Sequence, residues 1–242
     1  DIKTELANTS ASLAFTGVPD GSVILAGRGG TGGKRITWGS DVTENIDEDI
    51  EPSGVCHSGA SSAKSTGGDF TVTCARTDGT TDLRPRTVAL VLSPTQGAGV
   101  NGFYLPFSNS VELGVAAAPV SSTAATVSFA TSAVTSSSAS SYTFSSQSLS
   151  TAATGRIIAV LVVGERASAG ARTVSSLTVA GVSAALVVRQ TSDNGDAHEI
   201  WEAQVASGTS GDIVVNFSGS MGSAGIGVYA VYNAQYQQHY TI

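Results

Sequence analysis

Charged residues are scarce in this chain. They make up 13% of its 242 residues, with 12 Lys and Arg against 19 Asp and Glu and a formal net charge of −7. Proteins that grip nucleic acid neutralise phosphates with clustered cations, so nucleic acid is excluded as a partner. The sequence holds two Cys and three His. His57, His198 and His239 fall in three separate places, and no set of four ligands for a zinc ion can be drawn from them. A Gly-x-Ser-x-Gly nucleophile elbow is absent, and no His and acid converge on a particular Ser; neither catalysis nor a cofactor is expected. No apolar run reaches the roughly 18 residues of a membrane helix, the longest being Ile157 to Val163. No membrane insertion is expected. The first residues carry no secretory hydrophobic region, so export is not legible from this end.

What the chain has instead is 28 Gly, many Ser, Thr and Ala, and 41% hydrophobic residues, the profile of a β protein with many tight turns. Strand-length stretches bounded by Gly, Asp, Asn and Ser recur at short spacing without a helical period, which predicts an all-β fold. The stretches also repeat. Gly68-Asp69-Phe70-Thr71-Val72-Thr73 is answered by Gly211-Asp212-Ile213-Val214-Val215-Asn216 at an offset of 143 residues. Gly21-Ser22-Val23-Ile24 matches Gly155-Arg156-Ile157-Ile158 at 134, and Arg35-Ile36-Thr37-Trp38 matches Ser176-Leu177-Thr178-Val179 at 141. Val88-Ala89-Leu90-Val91 matches Val228-Tyr229-Ala230-Val231 at 140. Four collinear anchors with loops of changing length predict a tandem duplication.

The expected architecture is therefore two tandem β-sandwich, jelly-roll-like domains, residues 1–118 and 119–234, followed by a C-terminal arm, 235–242. Strands are predicted near 12–16, 22–27, 34–39, 54–59, 69–75 and 86–92, with a further pair at 102–107 and 111–117. In the second half they are predicted near 125–131, 141–149, 156–163, 174–180, 185–190, 199–206, 212–218 and 226–232. Both alternating sets of Ile157 to Val163 are apolar, as in a central strand covered on both faces. From Ser121 to Thr151, 19 of 31 residues are Ser or Thr, a composition shared with O-glycosylated linkers. Val127, Phe129, Tyr142, Phe144 and Leu149 interrupt it at strand spacing, which predicts a polar strand pair instead. Residues 1–118 hold 13 acids and 8 bases and residues 119–242 hold 6 and 4, so the second half presents the more neutral surface, suited to packing against copies or partners.

Several motifs invite sharper readings. Gly27-Arg28-Gly29-Gly30-Thr31-Gly32, with Lys34, has the glycine spacing of a nucleotide loop, but a strand follows where a helix is required, so a glycine-rich connection is expected. Asp47, Asp49 and Glu51 alternate as carboxylates that could ligate calcium, although Pro52 stands where a calcium loop would want Gly; a solvated acidic loop is favoured. Asp193-Asn194-Gly195-Asp196 reads first as a hairpin turn. Cys56 and Cys74 are symmetric about residue 65 and would face each other in a hairpin, making them the candidate disulfide. Tyr104 and Trp201 are candidate glycan-contact aromatics, whereas Trp38 and Tyr229 sit at repeated strand positions and are expected in the core.

One resemblance adds to this. Val174-Ser175-Ser176-Leu177-Thr178-Val179-Ala180-Gly181-Val182, His198-Glu199-Ile200-Trp201, Gly211-Asp212-Ile213-Val214-Val215 and Gly225-Ile226-Gly227-Val228-Tyr229 resemble a β-sandwich module of virion proteins from tailed bacteriophages and gene transfer agents. Through the duplication, Ile36-Thr37-Trp38-Gly39 and Gly68 to Val72 extend the likeness to the first half. The resemblance implies a spike, fibre or decoration protein located in the virion, whose partners are copies of itself, other virion proteins and host-surface glycan. It carries no catalytic signature. The alternative is a secreted or cell-surface carbohydrate-binding or adhesin module, extracellular or on the bacterial surface.

Overall fold

The computed structural model describes residues 2–5, 10–31, 36–49, 55–64, 66–77, 86–94, 123–166, 171–191 and 196–234. Among these the chain is all-β. The strands are β1 (Ile2–Glu5), β2 (Ser10–Val18), β3 (Ser22–Thr31), β4 (Ile36–Trp38), β5 (Thr43–Asp49), β6 (Val55–Lys64), β7 (Gly68–Arg76) and β8 (Arg86–Leu92). They continue with β9 (Thr126–Thr135), β10 (Ala139–Ser148), β11 (Ile157–Arg166), β12 (Val174–Val179), β13 (Val182–Ser183), β14 (Ala185–Thr191), β15 (Ala197–Gln204) and β16 (Ser210–Tyr232). The expected strands at 102–107 and 111–117, the 118/119 boundary and the 235–242 arm lie outside the described residues.

Pairing divides the first half into a five-stranded sheet, β1-β8-β3-β6-β5, and a three-stranded sheet, β2-β7-β4. In the second half one sheet runs β13-β12-β16-β11-β15-β14, with β9 and β10 also paired to β16. The 23-residue β16 makes this possible: its first part pairs with β10 and β12, its last part with β11 and β9. Two separate strands were expected at 212–218 and 226–232; they form one. Taking the two parts of β16 in turn, the second half has the order β9-β16-β11-β15-β14 beside β10-β16-β12-β13, the order of the first with β13 added at one edge.

Register shows what the repeated residues do. Gly21 and Gly155 both take positive φ, 74° and 73°, in the turns that launch β3 and β11, a conformation only glycine adopts without strain. The pairing of β2 with β7 is interrupted after Phe15, and that of β10 with β16 after Phe144. At each bulge an N–H is held by the repeated aspartate: Gly17 N donates to Asp69 Oδ1 at 2.8 Å and Ser146 N to Asp212 Oδ1 at 2.8 Å. The last anchor needs correction. Val23 pairs with Leu92 and Ile157 with Val231, so the offset there is 139 rather than 140; a one-residue slip would turn every side chain to the wrong face. The Trp38 anchor does not hold in register either, since Trp38 pairs with Cys74 but Val179 pairs with Ile213, the counterpart of Phe70.

Alternation along the strands builds three apolar layers. Leu13, Phe15, Ile24, Ala26, Ile36, Val72 and Val91 close a core between the two sheets of the first half. Tyr142, Phe144, Ile158, Val160, Leu177, Ile213, Val215 and Val228 close one within the second. Between them lies a third, to which both halves contribute: Val23, Leu25, Ile46, Val88 and Leu90 on one side, Ile157, Ala159, Leu161, Ile200, Tyr229 and Val231 on the other. The strand β11 is central, as expected, between β15 and β16. Burying both faces of two sheets in this way removes apolar area from water at roughly 25 cal/mol per Å², and it welds the halves together.

Two expectations fail here for the same reason. The glycine run 27–31 is not a connection but the far half of β3, paired with β6 and β8. A Cβ on Gly27 would lie 2.6 Å from Leu161 Cδ2, and one on Gly29 would fall on the His198 ring; these glycines are notches in the shared core. The acidic run is not a loop either. Thr43 to Asp49 forms β5 at the sheet edge, paired to β6, with Ile46 buried inward and Asp47 exposed.

Candidate interaction surface

Two strands of the second half, β9 (TVSFATSAVT) and β10 (ASSYTFSSQS), carry no charge of their own. In β10, Tyr142 and Phe144 point inward while Ser141, Thr143, Ser145 and Ser146 are exposed. Tyr142 is fixed from several directions: its hydroxyl lies 3.0 Å from the carbonyl oxygens of Ser137 and Met221 and accepts the Ala139 N–H at 3.1 Å.

Where β10 and β16 end, this face opens into a groove of about 760 Å³ lined by Ser128, Ser148, Ser150, Thr151, Thr209 and Tyr232, with Ser146 and Ser210 completing it. The lining is hydroxyls alone. Tyr232 adds the one ring, its hydroxyl donating to the Thr151 carbonyl at 2.8 Å. Beneath the groove lies Arg156, fully buried. Its Nε donates to the Val205 carbonyl at 2.8 Å, Nη1 to Leu149 at 2.8 Å and Ser150 at 3.1 Å, and Nη2 to Ser207 at 3.0 Å and Gly208 at 2.8 Å. The guanidinium thus ties the 149–151 wall to the 207–210 wall using five carbonyls and no carboxylate. Nothing in the sequence marks Arg156 except its place after a repeated glycine; its counterpart Ser22 only reaches back to the Pro19 carbonyl at 2.8 Å.

A second groove, of about 680 Å³, lies in the first half along Ile36, Thr37, Trp38, Glu44, Asp47 and Thr77. Partial burial, then the neighbouring Asp47, raises the Glu44 carboxyl above its usual range. Asp47 is therefore beside Glu44 on a strand. Asp49 lies on the same strand, its side chain outside the described set, as is all of Glu51. Among the described residues no three His, Cys, Asp or Glu side chains converge as metal ligands.

The other singled-out residues are dispersed. The Cys56–Cys74 disulfide is not formed: β6 and β7 belong to different sheets, so the expected hairpin does not exist, and Cys74 is a free, buried thiol 3.5 Å from Arg28 Nη1. Trp201 is 7% exposed, with its indole N–H donating to Glu199 Oε2 at 2.8 Å, so it cannot stack on a glycan; Tyr104 lies outside the described residues. Glu199 also accepts from the Val174 N–H and pairs with Arg189 at 2.8 Å, a buried network joining β12, β14 and β15. Trp38 and Tyr229 are buried as expected, Trp38 donating to Ser58 Oγ at 2.8 Å.

His57 and His198, which the sequence left unconnected, line one cavity. Registers place His57 opposite Gly29 and His198 opposite Val163, the same position in each half, and both line a small cavity in the shared core with Leu161 and Val88. Both His57 nitrogens lack a hydrogen-bond partner among the described residues, and burial pushes the imidazole down to about 4. Nearby on the same layer, burial pushes Glu202 up to about 7.

No family model matches the chain, and no curated protein matches it. Among solved structures, one described as the crystal structure of PBSX exported protein XepA aligns over 96% of this chain and 86% of that one, at 10% identity and a TM-score of 0.19. A likeness at that level decides neither fold nor function. No helix among the described residues is long and apolar enough to cross a membrane.

Proposed function

We propose that this chain is a structural component of a bacteriophage-type particle, a spike, fibre or decoration protein on head or tail, acting through packing against copies of itself and other particle proteins. The observation that carries the reading is the exposed side of β10, where Ser141, Thr143, Ser145 and Ser146 present hydroxyls and no charge, because the cores of protein interfaces are depleted in charge. The segments that resemble virion modules, and the strand order that the two halves share apart from β13, support it. Imaging native particles by electron microscopy with the chain labelled tests it. Density for symmetric copies on the particle is the expected result, and a chain that stays monomeric at high concentration and never joins a particle would sink the idea.

The hydroxyl-lined groove favours one alternative, an adhesin that binds neutral glycan. Sugar hydroxyls both donate and accept, as do those of Ser and Thr. Glycan-array binding by the isolated chain, lost when Ser148 and Thr209 are replaced by Val, is what that reading requires.

A further inference from the structure

The layer shared by the two halves has an approximate two-fold axis. Gly27 and Leu161 are counterparts, each six residues beyond the launching glycine of its strand, and they touch each other; counterparts meet only on a dyad. The contacts of the central strands obey it, although β9 also packs on β3 and β6 where β1 has no matching contact on β11 and β15. β6 packs on β11 while its counterpart β15 packs on β3, and β8 packs on β14 and β15 while the end of β16 meets β5 and β6 through Gly227 and Tyr229. His57 and His198, also counterparts, line the same cavity.

The pairing is isologous in geometry but not in shape. Around the axis the first half is hollow at Gly27, Gly29 and Gly59 where the second is full at Leu161, Val163 and Ile200. Leu161 enters the notch at Gly27, the His198 ring the notch at Gly29, and the Tyr229 hydroxyl lies 2.7 Å from where a Gly59 Cβ would stand. Two second halves placed on the same axis would set Leu161 against Leu161. Two first halves would set glycine against glycine and leave a void.

We infer that this layer is a pairing surface for another copy of the same module, and that its knobs and notches make it accept only the unlike half, from its own chain or from a neighbouring copy. Crowded copies then close first half on second half and never like on like. A double-mutant cycle tests the geometry. Gly27→Leu sets two leucines on the axis and Leu161→Gly empties it; each lowers the urea midpoint by about 1 M. The double variant moves the knob across the dyad into an equivalent notch and recovers at least half of the combined loss. Losses that simply add would overturn the two-fold assignment. Pairing specificity is read by native mass spectrometry on the full chain carrying a protease site between residues 100 and 115, cleaved after folding, with isotope-labelled and unlabelled preparations mixed. Complexes of one first half with one second half, including label hybrids, are expected. Pairs of like halves, or halves that separate, refute the inference even if the variants fail to fold.

Discussion

Replacing Arg156 by Met isolates the support of the groove. The buried guanidinium satisfies five carbonyls, of which those of Val205 and Leu149 are enclosed and those of Ser150, Ser207 and Gly208 are partly open. Met keeps the aliphatic stem and lets water reach the three open carbonyls, which reduces their share to little. The two enclosed acceptors are left without donors, at about 1–3 kcal/mol each. The desolvation of an unpaired cation is relieved at the same time, so the lower part of that range applies and the expected loss is about 3 kcal/mol. Urea unfolding at neutral pH would show a lower midpoint at unchanged slope, or a Tm lower by roughly 6–12 °C for a chain of this size. Arg156→Lys, with three donors, should lose about half as much. Amide exchange should rise first at 149–151 and 207–210. A loss under about 1 kcal/mol, or uniform exchange across β16, would falsify the claim that Arg156 holds the two walls together.

Four further substitutions address other parts of the structure. Tyr229→Phe removes a buried hydroxyl that has no hydrogen-bond partner among the described residues, so stability should stay level or rise by about 1 kcal/mol in urea unfolding; a loss of 2 kcal/mol or more would mean the hydroxyl is bonded after all. His57 resists protonation when folded, so its contribution is fully present above pH 6.5 and is lost as pH falls toward about 4. Glu202 opposes it: the unfolded carboxyl ionises from 4.5 upward while the folded one waits until about 7, so its contribution falls as pH rises through that window. His57→Gln should therefore make stability drop more steeply from pH 5 to 7, and Glu202→Gln should make it rise, in unfolding curves taken across the range. Identical profiles in all three proteins exclude both assignments. Thr143→Lys adds charge to the exposed face of β10 and should leave the unfolding free energy within about 0.5 kcal/mol of the parent. It should also abolish any self-association seen by light scattering; association that survives moves the contact elsewhere.

The strands that read clearly in the sequence are those whose apolar residues alternate against a core, such as β7, β8 and β11. Those that did not read are held by partners. In β5 only Ile46 is apolar among carboxylates and Asn45, and its strand state comes from β6. The far half of β3 is mostly glycine because Leu161 and His198 need the room, so a packing requirement imitated a loop signal. β16 carries Gly219 and Gly222 where a turn is the natural reading, yet the strand runs through them although its ladders skip 218–220, and a Cβ at Gly219 would lie 2.5 Å from the Arg172 side chain. The groove was foreshadowed by the Ser- and Thr-rich segment, whereas Arg156 beneath it was not, since five carbonyls from distant loops leave no local pattern. The convergence of His57 and His198 on one cavity required the two-fold arrangement, which one-dimensional matching of anchors, slipped by a residue at Val88, could not supply.

The unbroken β16 has a mechanical consequence. Its 23 residues, roughly 75 Å of contour at 3.3 Å each, are laced to β10 and β12 at one end and to β9 and β11 at the other. Tension along that strand loads both ladders in shear at once, and their hydrogen bonds must fail together. In the first half the same two roles fall to β7 and β8, separate strands in separate sheets that can be peeled one after the other. Single-molecule extension should find the first half yielding at the lower force, leaving the second as the element that bears load.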